Sequence, residues 1–106
     1  MVRRGELSIA EVPHKRPGLV LTRNGVIHAQ NLISVAEITT SVRGLGTEVD
    51  FDPAEAGLDR PSVINCDGLH TVEQVAKSGP VGQVSDETMR KVSSAINYAL
   101  GVEQPR

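Results

Sequence analysis

The chain has 106 residues and a formal net charge of −2, with 39% hydrophobic residues and only 2% aromatic. That length fits one domain spanning the chain, and the apolar fraction is that of an ordinary globular protein rather than a disordered one. The two aromatics, Phe51 and Tyr98, exclude a core built on rings and leave few faces for stacking nucleobases, while the charge excludes a protein that is basic all round.

In chain order, Leu7 to Val12 reads as a strand ended by Pro13, and Leu19 to Thr22 as a short apolar strand buried on both faces. Asn24-Gly25 signals a turn before a third strand, Leu32 to Ile38, rich in β-branched residues. Gly44 and Gly46 precede Thr47 to Phe51, where Val49 and Phe51 alternate with charged neighbours. Ser62 to Cys66 and Leu69 to Val72 flank Asp67-Gly68, a pair typical of a tight hairpin. The period then changes. Ser85 reads as an N-cap, Asp86 and Glu87 suit the positive end of a helix dipole, and Gly101 stops the helix. Between them Met89, Val92, Ile96, Ala99 and Leu100 share one face. Five to seven short strands and one amphipathic helix predict an α+β, mostly β domain: a small barrel or strongly bent sheet covered by the helix.

Charge is unevenly spread. Residues 1–24 carry Arg3, Arg4, Lys15, Arg16 and Arg23 against Glu6 and Glu11, whereas Glu48, Asp50, Asp52, Glu55 and Asp59 fall together without a compensating base. Cys66 is the single cysteine, so neither an intrachain disulfide nor a cysteine zinc cluster is expected. No apolar run approaches the ~20 residues that cross a bilayer. The opening Met-Val-Arg-Arg-Gly-Glu has no apolar stretch behind its arginines. The expectation is a soluble cytoplasmic protein without a membrane partner.

Taken together, the ordered segments Arg4-Gly5-Glu6, Arg16-Pro17-Gly18-Leu19-Val20-Leu21, Ala36-Glu37-Ile38-Thr39-Thr40, Thr47-Glu48-Val49, Ser62-Val63-Ile64-Asn65-Cys66-Asp67 and His70-Thr71-Val72 resemble the MazF/PemK (Kid) family of toxin–antitoxin ribonucleases, from Arg3 to about Gly101. The resemblance implies an SH3-like (CcdB/PemK-type) barrel with a C-terminal helix, assembled as a homodimer. It implies a toxin that cuts single-stranded RNA at short sequences without cofactor or metal, silenced by a cognate antitoxin. Such cleavage uses the 2′-hydroxyl as nucleophile. It needs a proton acceptor, a cation for the developing phosphorane charge, and a donor for the leaving 5′-oxygen.

Arg16 matches the family's catalytic arginine before proline, and a guanidinium fork fits phosphate oxygens at any working pH. Thr39 matches a threonine acting on the same phosphate, with Thr40 the fallback if the register slips by one. Asp67 matches an aspartate catalytic in the PemK branch, although Asp-Gly is equally a turn signal. In that branch the triplet reads Arg-Cys-Asp; here Asn65 stands first and offers a neutral hydrogen bond instead of a charge. Lys15 and His14 precede Arg16, and His14 shares its side of an extended chain. His70 stands where relatives often carry an arginine that touches RNA backbone. The proton acceptor stays open among Asp67, His14 and a bound water.

The chain departs from the family in its short first loop, Pro13-His14-Lys15, in Ser8 where an aromatic is common, and in Gly18 where a branched apolar residue is usual. Two other readings follow. One is a gyrase-binding toxin of the CcdB type, which the lack of tryptophan opposes. The other is a degenerate member that binds antitoxin or RNA without efficient cleavage.

Overall fold

The computed structural model describes residues 3–11, 15–27, 32–73 and 82–101. Its elements are β1 (Glu6–Glu11), β2 (Lys15–Val20), α1 (Asn24–Ile27), β3 (Leu32–Thr39), β4 (Glu48–Asp50), a 3-10 turn (Pro53–Ala56), β5 (Val63–Glu73), β6 (Gly82–Gln83) and α2 (Asp86–Leu100). The six strands form one antiparallel sheet in the order β4-β5-β3-β2-β1-β6.

The sheet is curled until its two ends approach each other. The 3-10 turn, which follows edge strand β4, packs against the other edge strand, β6. At that junction Gly82 has no room for a side chain: a Cβ there would overlap the carbonyl of Ala56. This is the bent sheet expected from the sequence, with α2 packed on β4 and β5.

Two apolar clusters lie on the two sides of the sheet. Leu7, Leu19, Ala36, Ile38, Ile64, Cys66 and Val92 form the larger, into which α2 sends Val92 and Ala95. Val20, Ile27, Ile33 and Val35 form the smaller, beneath α1. Leu7, Leu19 and Ile64 are fully buried, each stabilising the fold by about 1.5–3 kcal/mol.

The acidic stretch resolves into local caps. Glu48 accepts from the backbone N–H groups of Arg43 and Leu45, and Asp52 caps the 3-10 turn through the N–H of Ala54. Glu55 reaches the start of α2, where its Oε1 accepts from the Thr88 hydroxyl (3.1 Å) and the Ser85 N–H (3.3 Å). A carboxylate there meets the positive end of the helix dipole. Ser85 itself accepts from the Thr88 N–H, and Gly101 ends α2 at φ 68°, as its sequence signals predicted.

Two expectations are corrected. β2 begins at Lys15 and includes Pro17, rather than starting at Leu19. The expected Asp67-Gly68 hairpin is absent, because both flanking runs pair with β3 and belong to the single strand β5. The register with β3 shifts between Ala36, opposite Leu69, and Glu37, opposite Asn65, so residues 66–68 form a bulge.

Burial, and secondarily the negative charge of Asp67, push the Cys66 thiol up to about 11. A raised value means the folded state keeps the neutral thiol while the unfolded chain ionises near its ordinary 9.0. Stability from this group is therefore full below pH 9 and lost as pH rises through about 11. At pH 8, Cys66 is expected to resist a thiol-specific reagent in the native protein and to react within seconds in denaturant. Rapid labelling of the native protein would show the thiol to be exposed.

Candidate active site

Strand register decides which candidate residues meet. Gly18, Leu19 and Val20 of β2 pair with Glu37, Ala36 and Val35 of β3. Across β3, Val35, Glu37 and Thr39 pair with His70, Asn65 and Val63 of β5. Directly paired residues share a face, and alternate residues along a strand share it too. Glu37, Thr39, Asn65 and His70 therefore lie on one face, the side opposite the Leu19–Ala36–Ile64 cluster. The β2–β3 pairing runs from Val20–Val35 to Gly18–Glu37, and beyond it Pro17, the neighbour of Arg16, lines a cleft with Thr39.

Arg16 and Lys15 are placed by their backbones alone, opposite Ala10 and Glu11 of β1. His14 lies outside the described residues. Thr39 is half-buried, and its hydroxyl oxygen accepts from the Ser41 N–H at 3.0 Å, which turns the chain sharply at the end of β3. Thr40 is exposed. Both threonines line a cleft of about 290 Å³ with Pro17, Ser41, Asp59 and Arg60.

Asp67 stands apart. It sits on the β5 bulge, where its Oδ2 accepts from the buried Thr47 hydroxyl at 2.8 Å and its N–H donates to Asn65 Oδ1 at 3.0 Å. Its place along β5 is four residues beyond Val63, the partner of Thr39.

The residue that sequence reasoning passed over is Glu37. Its carboxylate lies 3.6 Å from His70 Nε2, with its side chain 15% exposed. Gly68 lies against the same group: a Cβ at that position would stand 3.1 Å from Asn65 Nδ2 and 3.3 Å from Glu37 Oε2. The bulge and its glycine thus gather Glu37, Asn65 and His70 into one group, with Glu37 two residues along β3 from Thr39 and His70 opposite Val35. The available signal was a single acid inside the apolar run Leu32 to Ile38. Among the described residues, no group of three His, Cys, Asp or Glu side chains is placed to hold a metal ion.

The arrangement brings the Thr39 hydroxyl, an amide and a carboxylate–imidazole pair to one face of the sheet. Residues 3–100 match the model of the PemK-like, MazF-like toxins of type II toxin–antitoxin systems. The chain is 36% identical over 97 residues to Endoribonuclease MazF3 of Mycobacterium tuberculosis, covering 92% of this chain and 93% of that one. It is 31% identical over 99 residues to the Probable endoribonuclease MazF5 of the same species, covering 92% and 91%. Among solved structures, the Mycobacterium tuberculosis toxin MazF-mt6 superposes with a TM-score of 0.84 at 35% identity, covering 93% of this chain and 99% of that one.

Proposed function

This chain belongs to the PemK-like, MazF-like toxins of type II toxin–antitoxin systems, and from that premise we propose that it is an endoribonuclease cutting single-stranded RNA by attack of a 2′-hydroxyl on the adjacent phosphorus. What supports this reading is the family match over residues 3–100 together with the cleft in which Pro17, next to Arg16 in the chain, meets Thr39 and Thr40. The guanidinium holds the non-bridging phosphate oxygens and balances the charge of the phosphorane. Thr39 orients the phosphate through its hydroxyl, and Thr40 lies beside it in the cleft. Asn65, His70, Lys15 and His14 contact the RNA backbone or bases on either side. Asp67, turned to Thr47, serves to shape the bulge. In this reading the protein acts in the cytoplasm as a homodimer, and a cognate antitoxin silences it by covering the same face. Among the described residues no helix is long and apolar enough to cross a membrane.

The test is incubation of purified, antitoxin-free protein with a long single-stranded RNA in EDTA, followed by mapping of the product ends. Discrete cuts leaving a 2′,3′-cyclic phosphate and a 5′-hydroxyl are expected, at a rate the chelator does not change, because Arg16 supplies the positive charge. Intact RNA from folded, dimeric protein would overturn the reading, and strong inhibition by EDTA would overturn its mechanism.

A further inference from the structure

The cleavage reaction requires a proton acceptor and a proton donor near the scissile phosphate, and the sheet face carries a pair of that chemistry. We propose that Glu37 accepts the 2′-hydroxyl proton and that His70 protonates the leaving 5′-oxygen, an inference that rests on the ribonuclease reading above. Glu37 and Thr39 are two residues apart on one strand and one face, about 7 Å along the chain. A phosphate held at Thr39 has Glu37 within one nucleotide's reach along the same face.

Of the other described carboxylates, Asp59 shares the cleft with Thr39 but sits on the loop after the 3-10 turn, off the strand that carries Thr39. Asp67 is engaged by Thr47 on the bulge, and Glu48 is turned onto the amides of Arg43 and Leu45. Asp50 pairs with Val63, which puts it two strands from Thr39, roughly 10 Å away. Glu37 alone combines the Thr39 strand, the shared face and an imidazole at 3.6 Å. Gly68 keeps this corner open, since any side chain there would crowd both Asn65 and the Glu37 carboxylate.

The step balances without a co-reactant. The 2′-oxygen forms a bond to phosphorus as its proton passes to the Glu37 carboxylate. The bond from phosphorus to the 5′-oxygen breaks, and that oxygen takes a proton from the His70 imidazolium. The products are a 2′,3′-cyclic phosphate and a 5′-hydroxyl. The proton on Glu37 then crosses to His70 and restores both groups.

The experiment compares wild type, Glu37→Gln and His70→Gln in single-turnover cleavage of two RNAs. One is ordinary; in the other, sulfur replaces the leaving 5′-oxygen and departs without protonation. Binding of a non-cleavable 2′-deoxy analogue and thermal melting are measured alongside. On ordinary RNA both variants are expected to lose about 100-fold in single-turnover rate at saturating protein, with melting unchanged and analogue binding weakened no more than a few-fold. On the sulfur substrate His70→Gln recovers to within a few-fold of wild type, whereas Glu37→Gln stays slow. Wild-type rates for Glu37→Gln, or no recovery of His70→Gln on the sulfur substrate, overturn the assignment. His70 is partly exposed, so its arm stands even if the change at Glu37 disturbs folding. Failure of wild type to cut either RNA would instead overturn the ribonuclease reading itself.

Discussion

Arg16→Ala is expected to slow RNA cleavage by about 10³-fold while melting temperature and dimer mass stay at wild-type values. The magnitude follows from where the charge develops. A phosphorane carries more negative charge than the phosphate it comes from, so a cation fixed beside it stabilises the transition state more than the bound substrate. The loss should therefore fall mainly on the rate of the bound complex, with a smaller weakening of RNA affinity. Arg16→Lys is expected to recover only part of the rate, because an ammonium restores the charge without the forked donors. Single-turnover cleavage measured with saturating protein separates the two effects. Cleavage that survives in the alanine variant would remove Arg16 from the phosphate site.

The second large effect is on the fold. Gly82→Ala is expected to lower stability by about 2–3 kcal/mol, visible as a fall of 10 °C or more in melting temperature for a domain of this size. One methyl group is enough because the obstacle is the backbone of Ala56, which cannot rotate away as a side chain would. Gly25→Ala provides the contrast: a Cβ there meets nothing within 4 Å, and the site is helical. That change should stay within about 1 kcal/mol of wild type. Equal melting temperatures for the two variants would show that β6 and the 3-10 turn are not tightly docked.

Some of this architecture was legible in the residues and some was not, for reasons of range. α2 announces itself locally: Ser85, the acids behind it, the apolar positions and Gly101 all act within a turn or two of the chain, although Leu100 of the expected face is exposed and the buried residues are Thr88, Val92 and Ala95. β3 was equally clear. β2 was misplaced because Arg16-Pro17-Gly18 looks like a strand breaker, yet proline's fixed φ suits an extended chain and costs it only one N–H. The Asp67-Gly68 pair misled for a related reason. A turn signal says that the backbone departs from regularity, and only the partner strand decides whether it reverses or bulges. Here β3 is long enough to pair with both halves.

The site shows the same division. Arg16 and Thr39 were identified through the family resemblance, and the structure places Thr39 in a cleft that Pro17, the neighbour of Arg16, also lines. Asp67 and Glu37 both required the bulge to be known. The bulge carries Asp67 to Thr47, and it folds Gly68 over Glu37. Nothing in the spacing of residues 37, 65, 68 and 70 reveals that they touch.

The pairing of β1 with β6 sets a condition on when the protein can assemble during synthesis. Glu6 and Leu7 wait for Gln83 and Gly82, and the carbonyl of Gly5 waits for the N–H of Val84. Closing so long a loop comes late in folding, because its entropy must be met before the contact contributes. A nascent chain on the ribosome therefore holds its first strand without this partner until residues 82–84 have emerged, and α2 follows later still. A message truncated before that point yields a chain with an open sheet edge and an uncovered apolar face. Such a fragment is prey for chaperones and proteases. The closed sheet, and with it the face that carries Thr39 and Glu37 in its final surroundings, thus comes only after β6 is made.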